Sequence, residues 1–264
     1  MTENSAVAPR KRRSPPRRVV VEAIERVSPN VIRIGFGGEE LAGFAQPRPG
    51  AHIKLFFPPA GANWPPSDAS VDGPRPPSRT YTPRWFDAGQ RRLEVEFVRH
   101  GAGLAATWAE TARVGDAMTL AGPGGGYDVP PDLEHMVIVA DDTAMPAAGM
   151  IVEALPPGCS ATIFCEVANP AEELPLSRKI SCAPVWLHRA PGKATPSTLL
   201  EQAVKSISPQ PPKTQWWVAC EAGAMRRIKT FLLKERGIDP TRLHTRGYWR
   251  LGETNYPDHD YGVD

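Results

Sequence analysis

The feature that most constrains this chain is a change of texture near residue 131. From Val19 to about Leu120 the apolar residues come in short alternating or β-branched runs, VVVEAIERV, NVIRIGF, AHIKLFF, RLEVEFV and DAMTL, separated by turn residues. Side chains of a strand alternate between faces, so about six such runs predict an antiparallel barrel or sandwich. From His135 onward the strand-like runs HMVIVA, SATIFCEV, APVWLH and QWWVAC alternate with helical patterns in AMPAAGMIVEAL, PSTLLEQAVKSI and AGAMRRIKTFLLKERG. That alternation predicts a parallel sheet with crossover helices, a layout that takes ligands beyond the carboxyl ends of its strands. Two unlike halves leave a cleft at their junction, a common place for a small-molecule site.

Bulk properties narrow the class. At 264 residues the chain exceeds what one core comfortably organises, so two domains are expected. Apolar residues supply 41% and charged residues 23%, which excludes a disordered or fibrous protein. The 30 prolines crowd residues 58–77 and 205–212, where they break helices and mark exposed loops. No apolar run is long enough for a membrane span, and the first residues lack the pattern of a secretory signal, so a cytoplasmic location is expected. Cys159, Cys165, Cys182 and Cys220 form no CxxC pair or zinc-type spacing; they read as reduced thiols, and no metal site is expected. The net charge of +2 hides six basic residues between Arg10 and Arg18. Residues 1–18 are expected to form a disordered basic tail, the alternative being an arm for nucleic acid or an anionic membrane.

Two segments carry the chemistry. In SRTYTPRWFD, Arg79 and Tyr81 fall on one face of a strand because side chains repeat every second residue. In a barrel that holds a flavin, Arg79 would neutralise the pyrophosphate and Tyr81 would meet the same ligand, while Arg84 adds further positive charge. Thr82 would offer a hydroxyl or N–H near the flavin N5, where hydride arrives. The bland alternative is a strand edge with an ordinary charged face. In HGAGLAATWAETARVGDAMTLAGPGGGY, Gly101 and Gly103 let the backbone approach phosphate, and a short helix over Ala105–Glu110 would point its N-terminus at an anion. His100 reads equally as a packed residue. GPGGGY lacks the P-loop lysine and the Rossmann spacing and is expected to be a tight turn.

RTYTPR, HGAGLAATWA, GDAMTLAGPGGGY, ADDTAMPA, ACEAGAMRRIKTFL and GYWRLGE occur in an order that resembles the siderophore-interacting protein family, over roughly residues 19 to 255. These are flavin-dependent ferric-siderophore reductases of the ferredoxin-reductase superfamily. The resemblance implies an N-terminal antiparallel β-barrel binding FAD over residues 19–130 and a parallel-sheet α/β domain for NADH or NADPH over 131–245. Residues 246–264 would return toward the flavin and substrate site. It places Arg79, Thr80, Tyr81, Thr82 and Arg84 on the cofactor, with Thr82 in the catalytic position. His100, Gly101, Gly103, Ala105, Ala106, Thr107 and Trp108 would border its phosphates. Asp142, Thr143 and Ala144 match the family's D-E-T-A turn, and Glu221 the acid of its A-G-E motif, where nucleotide is expected. Asp142 or Thr143 would serve equally as an ordinary helix cap.

The same resemblance makes the substrate an anionic ferric siderophore drawn in by Lys54, Arg246 and Arg250, and the protein a monomer with no nucleic-acid partner. Lys54 also reads as an edge-strand lysine that discourages aggregation, and Arg250 as a cation stacked on Trp249. The chain departs from the pattern where GLAA replaces G-P-A-S, removing a hydroxyl at Ala106, and where Cys220 replaces a glycine. Glu166 favours NADH by binding a ribose diol, whereas Arg226 and Arg227 favour the phosphate of NADPH or form a solvated helix face. Rival readings are a general flavin or ferric reductase and a carrier that binds flavin or siderophore without electron transfer.

Overall fold

The chain begins with seven antiparallel strands: β1 (Arg17–Ser28), β2 (Val31–Gly37), β3 (Ala51–Phe56), β4 (Ser78–Tyr81), β5 (Pro83–Asp87), β6 (Arg92–Val98) and β7 (Ala117–Gly125). They bond in the order β4-β3-β7-β1-β2-β6-β5. The computed structural model describes residues 15–57, 76–99, 103–177, 183–190, 198–257 and 260–262. Strands β4 and β5 lie at opposite edges of the sheet, yet only Thr82 separates them in the chain. One residue spans at most about 3.6 Å, so the sheet must curl until its edges meet. The barrel therefore closes at the RTYT segment. Leu93, Val95 and Phe97 face inward at every second position of β6, joining Ile34, Phe36, Ile53, Leu55 and Leu120 in one core.

Three expectations in this half change. GPGGGY is not a tight turn: β7 continues to Gly125, pairing Gly124 with His52 and Gly125 with Ala51 beyond a bulge at residues 122 and 123 of β7. Gly122 has φ 123°, and a Cβ there would stand 3.1 Å from the His52 carbonyl, so glycine lets the two strands approach. Lys54 is not on an edge strand, because β3 lies between β4 and β7. Arg17 and Arg18, expected in the tail, begin β1; residues 1–14 lie outside the described residues. A helix, α1 (Leu104–Thr111), follows β6 and packs on the barrel.

The second half alternates as expected: β8 (His135–Asp141), α2 (Met145–Glu153), β9 (Ser160–Val167), β10 (Val185–His188), α3 (Leu199–Ser206), β11 (Thr214–Glu221), α4 (Ala222–Lys234) and β12 (Leu243–Trp249). The parallel order is β10-β9-β8-β11-β12. β8 is buried along its whole length, which is why HMVIVA reads as a continuous apolar run. α2 covers one face of the sheet, and α3 and α4 cover the other. β12 has no counterpart among the strands expected from the sequence, since His244, Thr245 and Arg246 mask it, and it runs through residues 245 and 246. The chain winds from β8 to β10 on one side and continues with β11 and β12 on the other, so the switch point lies between Asp141 and Glu221. Among the described residues no helix is long and apolar enough to cross a membrane.

Two buried polar clamps join the halves. Arg84 of β5 donates to Glu153 of α2 at 2.8 Å and to the Leu176 carbonyl at 2.8 Å. A Cβ on Gly149 would sit 2.2 Å from that carbonyl, so glycine lets α2 dock here. Glu172 accepts from Ser28 Oγ at 2.5 Å and Asn30 Nδ2 at 2.7 Å in the turn between β1 and β2.

Candidate functional site

A cleft of about 500 Å³ opens where the barrel seam meets the switch point of the parallel sheet. Arg79, Thr80, Tyr81 and Thr82 form the barrel wall, with Glu96, Val98 and Gly103 beyond them. Gly50 and His52 contribute from the start of β3. The opposite wall comes from Thr143 and Pro146 after β8 and from Arg246, Gly247, Tyr248 and Trp249 of β12. Residues 253 to 256 close the outer side.

Each wall has its own support. The Tyr81 ring packs on Phe97 at 4.5 Å in the barrel core, and burial pushes its phenol upward. Arg79 donates to the Ser78 carbonyl at 2.9 Å and pairs with no carboxylate among the described residues. Glu96 is held by Arg33 at 2.7 Å. Across the cleft, burial pushes the Tyr248 hydroxyl up to about 12, and it shares a hydrogen bond with Thr82. Arg246 is 8% exposed, with its guanidinium 5.6 Å from the Tyr261 ring and 3.4 Å from His52 Nδ1.

Asp141 underlies this wall. Its carboxylate accepts from Thr143 N at 3.0 Å, Thr143 Oγ1 at 2.6 Å, Glu221 N at 2.9 Å and Trp249 Nε1 at 2.8 Å. Burial first and the neighbouring Asp142 second push it up to about 7, against the donors Thr143 and Trp249. The sequence reading stopped one residue short of it. Its available signal was an acid ending a fully apolar strand run, directly before the quoted turn. His52 and Tyr248 were not among the expected site residues, whereas residues 253–256 belong to the segment expected to return toward the site.

The expected site residues divide sharply. Arg79, Thr80, Tyr81, Thr82, Gly103, Thr143 and Arg246 line the one cleft. Arg84 instead spends its charge on the interdomain clamp with Glu153. Trp108 packs among Phe36, Phe57 and Phe97 at 6.3, 5.8 and 5.6 Å, and Ala105 is part of the barrel core. Ala106 is buried in α1, while Thr107 is exposed. Asp142 pairs with Arg189, which also reaches Glu166 at 3.5 Å. Neither Asp142 nor Thr143 caps α2: the N-cap is Ala144, without a side-chain bond, and Asp141 takes the Thr143 N–H. Glu221 caps α4 by accepting from Ala224 N at 2.8 Å. Arg226 and Arg227 are engaged with Asp260 and Glu201. Lys54 stands opposite Thr80 on the neighbouring strand, so it adjoins the cleft rim. Arg250 is exposed and pairs with Glu253 at 3.3 Å. His100 and Gly101 lie outside the described residues.

Comparison with known proteins agrees with this architecture. Residues 20–127 match the Siderophore-interacting FAD-binding domain, and residues 133–252 match the Siderophore-interacting protein family. The crystal structure of a siderophore utilization protein from T. fusca superposes with a TM-score of 0.82 at 34% identity, covering 93% of this chain and 97% of that one. The ferric vibriobactin reductase of Vibrio cholerae is 28% identical over 251 residues, 89% of each chain. The NADPH-dependent ferric-chelate reductase of Escherichia coli is 39% identical over 145 residues, 53% of this chain and 57% of that one.

Proposed function

The chain belongs to the siderophore-interacting protein family, and from that premise we propose that it is an FAD-dependent reductase that takes electrons from NADH or NADPH and delivers them to a siderophore-bound ferric ion. The observation that carries this reading is the single cleft shared by the barrel seam and the strand ends of the parallel sheet. A flavin and a nicotinamide must meet for hydride transfer, and this junction serves both halves.

The residues present fit such a cofactor. Arg79 brings to the cleft a cation with no carboxylate partner among the described residues, and α1 starts at Gly103 without a side-chain cap, leaving its first N–H groups for an anion. FAD supplies, when bound, a centre that accepts two electrons as hydride and gives them up singly. The chain's part is to hold and shield. Arg79 neutralises phosphate charge. Thr82, which faces Tyr248 across the cleft, presents a hydroxyl at the meeting point of the two domains. Arg246, deep in the cleft, with Lys54 at the rim and Arg250 outside, attracts an anionic chelate. Siderophores bind iron through hard oxygen donors, so lowering the iron charge loosens the complex and the protein need not ligate iron.

The test is anaerobic mixing of the FAD-loaded protein with each nicotinamide nucleotide, followed by a ferric siderophore and a ferrous-specific dye. Flavin bleaching followed by dye colour supports the reading. A flavin that stays oxidised with both nucleotides would leave a carrier, and equal turnover on ferric citrate would leave a general ferric reductase.

A further inference from the structure

Asp141 is hidden beneath the cleft, yet it fixes two residues that form the wall. Its Oδ1 takes both donors of Thr143, and its Oδ2 takes the Glu221 amide and the Trp249 indole. Four bonds thus tie together the ends of β8, β11 and β12. The tie depends on an irregularity in β12. Pairing runs evenly until Cys220 faces Gly247, then slips, so that Trp249 rather than Tyr248 faces Glu221. A bulge of this kind re-aims side chains. Tyr248 turns to Thr82 and Trp249 reaches across the end of β11 to Asp141. Past Trp249 the chain becomes the strap that lines the cleft, and it is pinned again where Asp260 pairs with Gly247 and bonds Tyr256 and Arg226.

We propose that Asp141 is the positioning residue of the α/β wall: its carboxylate holds the Thr143 turn, the Trp249 indole and the near end of the strap in the arrangement that shapes the cleft. This deepens the reductase reading and rests on it for its kinetic consequence. The carboxylate works as an acceptor only. Protonated, one of its oxygens carries a hydrogen, and at least one of the four donors loses its acceptor.

The groups facing Asp141 set where that happens. Asp142 lies on its own turn, Glu166 at the end of β9, Cys220 and Glu221 at the end of β11, Tyr248 on β12, and Arg189 after β10. The acids oppose ionisation and Arg189 favours it. With its acidity held near 7, positioning is complete above neutrality and is lost as the pH falls through that point.

The experiment compares the wild-type chain with Asp141→Asn, Trp249→Phe and the double variant. In the near-ultraviolet circular dichroism of the full chain, the wild type is expected to show an aromatic change between about pH 8 and pH 6, missing from all three variants. With FAD bound, flavin reduction by the nucleotide is expected to slow about tenfold or more in each single variant. FAD affinity and reoxidation of dithionite-reduced flavin by ferric chelate should stay within about twofold, and the double variant should be no slower than the singles. A wild-type pH change that survives in Asp141→Asn overturns the proposal, as does equal slowing of both half-reactions. A chain that binds no FAD contradicts the reductase reading instead, and the dichroism titration still decides the role of Asp141.

Discussion

On the barrel side of the cleft, Arg79 and Tyr81 stand on a strand whose position is set by a backbone ladder and an apolar core, and the Arg79 charge has no carboxylate partner among the described residues. On the α/β side, Thr143 and Trp249 are placed by a buried carboxylate that connects three strand ends. The first wall is held by backbone pairing and apolar packing. The second is held by hydrogen bonds, so its geometry depends on one ionisable group. A cleft built this way has one wall set by packing and one whose geometry rests on a buried carboxylate.

The comparison can be broken by substitution, beginning with the largest expected effect. Trp108→Ala should destabilise the barrel by about 4 kcal/mol through a core cavity, measured by denaturant unfolding. A loss confined to FAD affinity would return Trp108 to the cofactor. Arg84→Ala should cost about 3 kcal/mol by removing a buried guanidinium that bonds the half-buried Glu153 and the Leu176 carbonyl. The expected readout is a lower unfolding midpoint, with FAD affinity in the surviving folded protein little changed. Arg79→Ala should do the opposite, leaving stability within about 0.5 kcal/mol and weakening FAD binding by roughly 2 kcal/mol, read by fluorescence titration. If the two arginines behave alike, the contrast drawn between them fails. Arg250→Ala should leave FAD binding intact and raise the KM for ferric chelate by about twofold, in keeping with roughly 0.5 kcal/mol for an exposed charge.

The sequence made the two halves legible because their periodicities differ: alternation in RLEVEFV and an unbroken apolar run in HMVIVA each follow from how many faces of the strand are covered. The RTYT segment was recognisable for a related reason, since a strand places Arg79 and Tyr81 together by spacing alone. Arg84 shows the limit. Its motif is contiguous with Arg79, but Thr82 separates one strand from the next, so the period that linked the two arginines is interrupted and Arg84 reaches Glu153 instead. Thr143 and Glu221 were legible as site residues but their tie through Asp141 was not, because Glu221 and Trp249 come from β11 and β12 and the indole bond depends on a register slip that no spacing rule anticipates. Trp108 shows a different limit. Its family position suggested phosphate, while the helical face it occupies points into the barrel.

The most direct measurement mixes purified protein with excess FAD, removes unbound cofactor and records the visible spectrum before and after anaerobic addition of NADH or NADPH. One equivalent of retained FAD, bleached by a nucleotide and restored by a ferric siderophore with ferrous iron appearing, is the predicted result. A folded chain that retains no FAD would contradict the claim that its two domains form an electron-transfer cleft.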